Sequence, residues 1–333
     1  MSWPSWLPLR ETLRPMSPYG APQVPAVAAL NTNENPYSPS PALQKAITDA
    51  VAKVAVDLNR YPDRDATILR TKLATYINEG NGTSFTLDNI WAANGSNEII
   101  QSIFLAFAQG AVLGFTPSYS MHPLIAKTTG AQWIDGKRNA DHSLNTTDAV
   151  SEILKSKPTL TFITTPNNPT GGAVTLAEIQ KLADAAKDVG GLLVVDEAYA
   201  EFSQEVSAVT LVASNPHVIV IRTMSKAFAF AGARLGYLVS DVAVKDAMMI
   251  VRLPYHLSAL TQAAAQVAID HRAELLSGVS TLIKARGEVV QALHDMGLTT
   301  ITSSANFVLF TGFKHDAPQL WAALLEKGVL IRD

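Results

Sequence analysis

The residues best suited to chemistry follow short apolar segments along the chain. Lys226 lies in the segment Thr223-Met224-Ser225-Lys226-Ala227-Phe228, where Met, Ala and Phe neighbours are expected to exclude water from its ammonium group. Desolvation lowers the pKa of a lysine and favours imine chemistry, although a lysine in a loop is usually solvated surface. Ser225 and Arg234 add a hydroxyl and a bidentate guanidinium that suit a phosphate group.

A carboxylate ends another apolar segment. The four residues Leu192–Val195 lead directly into Asp196, which suggests a buried strand that delivers this side chain to a site. A buried carboxylate needs a partner or a shifted pKa. The alternative interpretation is that Asp196 caps the N-terminus of a helix.

Two further polar segments follow strand-like runs. In Asn94-Gly95-Ser96-Asn97-Glu98, small residues open a helical pattern, and the free backbone N–H groups of a helix N-terminus bind phosphate well; the alternative is that Ser96 or Asn97 caps the helix. In the segment 166–172, Asn167 and Asn168 stand between two prolines. A turn explains most of this pattern, but a rigid turn can also present an amide to a ligand.

The elements that must position these residues alternate along the chain from about residue 41. Short apolar strands are separated by helical patterns such as Thr175–Asp188. This alternation predicts an α/β fold with a largely parallel sheet covered by helices on both faces, and ligands of such sheets bind beyond the carboxyl ends of the strands. The predicted strands are Ile90–Ala93, Ala111–Phe115, Leu160–Thr164, Leu192–Asp196, Val218–Arg222 and Gly236–Val239.

The chain is long enough for more than one domain. At 333 residues it exceeds the size at which a single core usually stops growing. We predict an N-terminal arm with part of a small domain at 1–40, a large domain at 41–272 that carries the candidate site residues, and a small α+β domain at 273–333, with strands at Asn306–Phe310 and Val329–Arg332. Because the sequence stops inside the last of these segments, we expect a further C-terminal segment to belong to this domain.

Composition argues against several classes of partner. With no cysteine, the chain has no disulfide or thiolate metal site, and we predict no metal. A net charge of −3 without a Lys/Arg cluster gives no support for nucleic acid or an anionic membrane surface as partner. The apolar residues are spread over short runs, so we expect no membrane span. A cytoplasmic location fits these features.

Seven short motifs follow one another along the chain. They are Asn31-Thr32-Asn33-Glu34-Asn35-Pro36, Arg60-Tyr61-Pro62-Asp63, Asn94-Gly95-Ser96-Asn97-Glu98, Pro117-Ser118-Tyr119-Ser120, Pro166-Asn167-Asn168-Pro169-Thr170-Gly171, Asp196-Glu197-Ala198-Tyr199 and Ser225-Lys226 with Arg234. In this order they resemble the fold type I pyridoxal 5′-phosphate-dependent aminotransferases, and within them the histidinol-phosphate aminotransferases. The resemblance covers essentially the whole chain and implies an aspartate aminotransferase-like fold with pyridoxal 5′-phosphate bound by the large domain.

The resemblance implies a role on the cofactor for each of these residues. Lys226 forms a Schiff base with the aldehyde and later moves the proton from the substrate Cα. Asp196 pairs with the pyridine N1–H, which keeps the ring an electron sink. The other implied contacts are Asn168 and Tyr199 to the ring O3′, Tyr119 stacked on the ring (or else an ordinary core aromatic), and the backbone of Ser96 and Asn97 with Ser225 and Arg234 on the phosphate.

The resemblance also implies shared sites in a homodimer. Tyr61 matches a tyrosine that reaches the cofactor phosphate from the neighbouring subunit; otherwise it is a turn aromatic before Pro62. For substrate binding we predict Tyr19, Asn33, Tyr255 and Arg332. Arg332 is equally compatible with a surface arginine, and the Gly-x-Leu-Arg segment that continues related enzymes is absent from this sequence. No catalytic role is implied for His122, although the wider family often has a second tyrosine there.

These expectations favour amino transfer between L-histidinol phosphate and 2-oxoglutarate by a ping-pong mechanism in histidine biosynthesis. An aromatic amino acid aminotransferase and a decarboxylase acting on threonine phosphate share the cofactor residues, so only the substrate pocket separates them. A non-catalytic regulatory domain that binds pyridoxal 5′-phosphate is disfavoured. Such domains carry an attached DNA-binding module, and this sequence has no helix-turn-helix pattern. A plain small-molecule-binding α/β protein does not require Lys226, Asp196 and Asn168 together.

Overall fold

The computed structural model describes residues 3–332 of the chain. The strands are β1 (Ala28–Ala29), β2 (Ile90–Ala93), β3 (Ala111–Thr116), β4 (Gln132–Lys137), β5 (Leu160–Thr164), β6 (Leu192–Asp196), β7 (Val218–Thr223), β8 (Gly236–Val239), β9 (Thr299–Thr300), β10 (Phe310–Thr311) and β11 (Val329–Leu330). The helices are α1 (Pro41–Ala55), α2 (Thr67–Asn81), α3 (Ser96–Phe107), α4 (Met121–Thr129), α5 (Thr146–Ser156), α6 (Leu176–Asp188), α7 (Val209–Val212), α8 (Val242–Val251), α9 (Ala259–Asp270), α10 (Arg272–Asp295) and α11 (Ala317–Glu326).

A seven-stranded sheet in the order β2-β8-β7-β6-β5-β3-β4 forms the centre of the described chain. The strands from β7 to β4 in this order are parallel, whereas β8 runs antiparallel to both β7 and β2. Strands β6 and β7 consist mainly of Leu, Ile and Val because both of their faces are buried. The α/β fold and the six predicted strands of this sheet are therefore confirmed, to within one residue at their ends.

Helices cover both faces of this sheet. Alternate residues of a strand point to opposite faces, so Val194 belongs to one apolar cluster and Val195 to the other. The cluster that contains Val195 includes side chains of α1, α2, α6 and α9, while that of Val194 includes side chains of α3, α4 and α8. This arrangement leaves the carboxyl ends of the parallel strands free to form a site.

The sheet is largely parallel, as predicted, with β8 as the antiparallel strand. Two details of the strand prediction need correction. Strand β4 was not predicted, since its sequence Gln-Trp-Ile-Asp-Gly-Lys is that of a partly exposed edge strand. A strand over Asn306–Phe310 is wrong: only Phe310 and Thr311 pair with β9, because the backbone bends at residues 304–307.

The N-terminal arm and the C-terminal elements meet beside the main sheet. Strand β1 in the arm pairs parallel with β11, which ends before Arg332. Strands β9 and β10 form a short antiparallel pair. The long helix α10 begins at Arg272, close to the predicted boundary, although the division into 1–40, 41–272 and 273–333 itself stays a prediction. Among the helices of residues 3–332, none combines the length and the apolar character that a membrane-spanning helix needs.

Candidate active site

A cavity of about 570 Å³ lies beyond the carboxyl ends of the parallel strands. Its wall, at the ends of the sheet strands, and its outer rim come from different parts of the chain, and together they include most of the predicted site residues. The wall contains Ser96, Asn97, Tyr119, Asn168, Asp196, Tyr199, Ser225, Lys226 and Arg234, and the rim contains Tyr19, Asn33 and Arg332.

Lys226 follows the buried strand β7 and extends into this cavity. Its Nζ donates a hydrogen bond of 2.7 Å to the backbone carbonyl of Thr32 in the arm and lies 5.9 Å from the centroid of the Tyr199 ring. Burial lowers the pKa of Lys226 to about 8, with Arg234 and Arg332 acting in the same direction and Glu34 opposing it. A substantial fraction of the amine is therefore neutral near physiological pH, as nucleophilic attack on a carbonyl requires.

Asp196 ends strand β6 on the floor of the cavity and is 2% exposed. His122 Nε2 donates to its Oδ2 at 3.1 Å, and the backbone N–H of Ala198 donates to its Oδ1 at 3.2 Å. No α-helix starts after Asp196, so the helix-cap alternative is wrong. His122 itself is 1% exposed and lies on α4. The sequence implied no catalytic role for it, and no local pattern indicated its contact with Asp196.

The N-terminus of α3 faces the cavity at a glycine. Gly95 precedes the helix with φ +83°, and no side chain caps the first turn. The capping alternative for Ser96 and Asn97 is therefore wrong, and their backbone N–H groups belong to the open end of the helix. A Cβ on Gly95 would lie 2.6 Å from Nη2 of Arg234, so glycine lets the guanidinium approach the helix end. A Cβ on Gly236 would similarly lie 2.5 Å from the Ser96 nitrogen.

The Tyr199 hydroxyl lies among amide groups. It accepts hydrogen bonds from Asn168 Nδ2 at 3.3 Å and from Asn33 Nδ2 at 3.1 Å. Burial is the main cause of a raised pKa at Tyr199, so the hydroxyl keeps its proton. Ser225, also buried, accepts a hydrogen bond of 3.0 Å from Thr223.

Tyr119 lies on the wall of the cavity near Asp196. Its hydroxyl donates to Asn97 Oδ1 at 3.1 Å, and its ring meets that of His122 edge-on. Burial, with the Asp196 charge in support, raises the pKa of Tyr119 to about 12. An aromatic ring held in this way can stack on a flat ligand, as the sequence predicts.

At the rim, Arg332 and Tyr19 form a pair. Arg332 follows β11, and its Nη2 donates to the Tyr19 hydroxyl at 2.8 Å. Tyr19 is 48% exposed, so the pair faces both the cavity and solvent. A guanidinium beside a hydroxyl suits an anionic substrate group, which agrees with the predicted substrate role of Arg332.

Two predicted residues, Tyr61 and Tyr255, do not reach this cavity. Their rings stack on each other with centroids 4.4 Å apart, and Tyr61 is 79% exposed. Tyr255 has a left-handed φ of +56°, which turns its loop towards Tyr61. The structure therefore does not bring Tyr255 to the substrate region of its own chain. The outward position of Tyr61 fits its predicted contact with a neighbouring subunit.

The donor set of the cavity fits pyridoxal 5′-phosphate. Lys226 offers an amine of lowered pKa for the aldehyde, and Asp196 offers a buried carboxylate for a protonated pyridine nitrogen. The open end of α3 with Arg234 offers donors for the phosphate. The close approach of Arg234 to Gly95 leaves no room for a side chain there, which is the geometry expected of a backbone phosphate cradle.

Comparisons with known proteins agree with this geometry. Residues 25–333 match the family described as "Aminotransferase class I and II". Histidinol-phosphate aminotransferases of Mycobacterium sp. (strain JLS) and Mycolicibacterium smegmatis are 50% and 51% identical over 98% of this chain, covering 87% and 86% of their own lengths. The structure of a Sinorhizobium meliloti histidinol-phosphate aminotransferase in complex with pyridoxal-5′-phosphate superposes with a TM-score of 0.81 at 24% identity, over 92% of this chain and 83% of that one.

Proposed function

Because this chain belongs to the class I and II aminotransferase family, we propose that it is a pyridoxal 5′-phosphate-dependent histidinol-phosphate aminotransferase. In this proposal it exchanges an amino group between L-histidinol phosphate and 2-oxoglutarate by a ping-pong mechanism, as a step of histidine biosynthesis in the cytoplasm. The observation that carries the chemistry is the convergence of Lys226, Asp196, Asn168 and Tyr199 on one cavity. The choice of substrate rests on identity of about one half to curated relatives of that activity.

The residues of the wall divide the chemical work. When bound, the cofactor supplies an aldehyde carbon that takes the amino group and a pyridine ring that withdraws electrons. Asp196, oriented by His122, holds a proton on the ring nitrogen and so maintains this withdrawal. Lys226, whose amine has a pKa of about 8, takes up and returns the proton at the substrate Cα.

The remaining wall residues bind and orient. Tyr199 and Asn168 donate to the phenolic oxygen of the ring, and Tyr119 packs on the ring face. The backbone of Ser96 and Asn97, the Ser225 hydroxyl and the Arg234 guanidinium hold the phosphate, in a cradle that Gly95 keeps open. The positions of these side chains around one cavity support these assignments.

The rim accounts for substrate binding. L-Histidinol phosphate and glutamate both carry an anionic group away from the reacting amine, and Arg332 with Tyr19 provides a guanidinium and a hydroxyl for that group. One anchor can thus serve both half-reactions, which is compatible with a ping-pong mechanism in which the two substrates bind in turn at the same site.

We also propose that the active form is a homodimer. Large apolar side chains are exposed on segments 56–68 and 250–255, which meet at the Tyr61–Tyr255 stack. We take them as an apolar patch, and exposed patches of this kind mark protein interfaces. Arg252 donates to the Asp65 carboxylate at 2.6 Å, which joins the two loops that carry the patch. In the proposed dimer, Tyr61 of each protomer reaches the cofactor phosphate of the other. The patch comprises Val56, Leu58, Tyr61, Ile68, Ile250, Leu253 and Tyr255.

One pair of experiments tests the proposed function. Borohydride reduction of the enzyme loaded with pyridoxal 5′-phosphate, followed by peptide mapping, is expected to label Lys226; labelling at another lysine would refute the assignment. The kcat/KM values for histidinol phosphate, phenylalanine and threonine phosphate are then compared. We expect histidinol phosphate to be preferred clearly. Preference for phenylalanine, or decarboxylation of threonine phosphate, would assign the chain to the corresponding related activity instead.

A further inference from the structure

Asn33 connects three parts of the molecule at the edge of the cavity. Its Nδ2 donates to the Tyr199 hydroxyl at 3.1 Å, and its own backbone carbonyl accepts a hydrogen bond of 3.1 Å from Asn306 Nδ2. Its φ of +55° lies in the left-handed region, which asparagine tolerates better than most residues. The arm, the large domain and the C-terminal elements therefore meet at this one residue.

The hydrogen bonds around the Tyr199 hydroxyl determine where its proton points. A phenolic oxygen accepts through its lone pairs and donates through one O–H. Two amide nitrogens, of Asn33 and Asn168, already donate to this oxygen, and neither can accept a hydrogen bond. The Tyr199 proton must therefore point away from both amides, which leaves the direction of the cavity that the ring borders.

We propose that Asn33 is a positioning residue that aims and polarises the Tyr199 hydroxyl towards the phenolic oxygen of the cofactor. This inference rests on the proposed function and replaces the substrate-binding role predicted for Asn33 from the sequence. A hydroxyl that accepts a hydrogen bond becomes a stronger donor in turn. Stabilising the ionised phenolic oxygen favours the unprotonated form of the cofactor linked to Lys226. Asn33 therefore lowers the pH midpoint of the cofactor's absorbance change, that is, the pH at which half of the cofactor is protonated.

Asn306 supports this role from the C-terminal elements. Its side chain donates a hydrogen bond to the Asn33 carbonyl. The ring of the neighbouring Phe307 packs edge-on against that of Tyr199, with the ring centroids 5.1 Å apart. The orientation of the tyrosine is thus set from two sides. Other charged and titratable groups face the same cavity and set the absolute midpoint, and they remain unchanged in the test below: Lys226, Asp196, Tyr119, Glu34, Arg234, and Arg332 with its partner Tyr19.

The test is a pH titration of the visible absorbance of the enzyme loaded with pyridoxal 5′-phosphate. Asn33→Gly removes the donor and keeps the positive φ, and we expect the midpoint to rise by about half to one pH unit, the effect of one neutral hydrogen bond. Asn31→Gly is the matched control. It removes another side-chain hydrogen bond of the arm, to the Pro22 carbonyl, without touching Tyr199, and its midpoint is expected to stay at the wild-type value.

A double-mutant cycle decides whether Asn33 acts through Tyr199. In a Tyr199→Phe background, Asn33→Gly is expected to cause no further shift; an equal shift in both backgrounds would overturn the proposal. If Asn33→Gly does not retain cofactor, Asn33→Asp keeps the backbone preference but places an acceptor beside the hydroxyl, and an unchanged midpoint there would also overturn it. Failure of borohydride to label Lys226 would instead count against the proposed function itself.

Discussion

The wall and the rim of the cavity are built in different ways. The wall residues Asp196, Asn168 and Lys226 follow central strands of the sheet whose residues are nearly all buried. The rim residues Tyr19 and Arg332 are exposed and come from the arm and from the segment that follows β11. A group on a buried strand end is held to one position, whereas a group on an exposed segment can adapt. The wall is therefore suited to chemistry that is the same for many substrates, and the rim is suited to the selection of one substrate.

The largest effect is expected from the wall. Asp196→Asn removes the charge that keeps the pyridine nitrogen protonated, and kcat should fall by at least about 100-fold, as losing a buried hydrogen bond between charged groups of about 3 kcal/mol predicts. The cofactor should remain bound, because its phosphate contacts are intact. Single-turnover kinetics measures the rate, and absorbance spectra measure how much cofactor is bound.

Asp135→Asn is a control for this variant, since Asp135 lies on the exposed strand β4 and accepts a hydrogen bond from Trp133. We expect it to leave kcat near the wild-type value. A fall of less than threefold in kcat for Asp196→Asn, with cofactor bound, would show that the wall does not work through this carboxylate.

The lowered pKa of Lys226 gives the next largest effect. Only the neutral amine attacks an aldehyde, so the rate of covalent capture of pyridoxal 5′-phosphate by the apoenzyme should rise roughly 50-fold between pH 6 and pH 8 and level off above it. The sign follows from a pKa of about 8, below the ordinary value for lysine. Stopped-flow absorbance measures the rate, and Lys226→Ala gives the background from other lysines. A rate that continues to rise up to pH 10 would mean that Lys226 is not desolvated.

A rim substitution should change binding more than chemistry. Arg332→Gln removes the charge that anchors the anionic group of the substrate, and KM for histidinol phosphate should rise about tenfold. This factor corresponds to the lower end of the free energies of hydrogen bonds to charged groups, because the arginine is exposed. The rate of cofactor capture should not change. Arg10→Gln, which alters an exposed arginine bonded to the Thr128 carbonyl, serves as the control. An equal loss in kcat with unchanged KM would contradict the division between wall and rim.

The same division explains what could be predicted from the sequence. Asp196 was identifiable because a continuous apolar run marks a buried parallel strand, and the next polar residue must lie at its carboxyl end. The hydrogen bond from His122 to Asp196 could not be identified from the sequence, because it depends on which strands are neighbours in the sheet. The link from Asn306 to Asn33 joins residues 273 positions apart, and no local pattern encodes it. Strand β4 was missed because its edge position leaves a polar sequence.

The smallest effect tests the part of the site that a single chain does not complete. Tyr61→Phe removes one hydroxyl from an exposed ring that stacks on Tyr255, and in the proposed dimer this hydroxyl binds the cofactor phosphate of the other protomer. The dissociation constant for pyridoxal 5′-phosphate should rise about fivefold, as one hydrogen bond of about 1 kcal/mol predicts. Tyr37→Phe, at another exposed tyrosine, should leave the constant unchanged, and sedimentation should show the same oligomer for both variants. An unchanged affinity in an intact dimer would mean that each chain completes its own phosphate site, and the wall would then hold the cofactor alone.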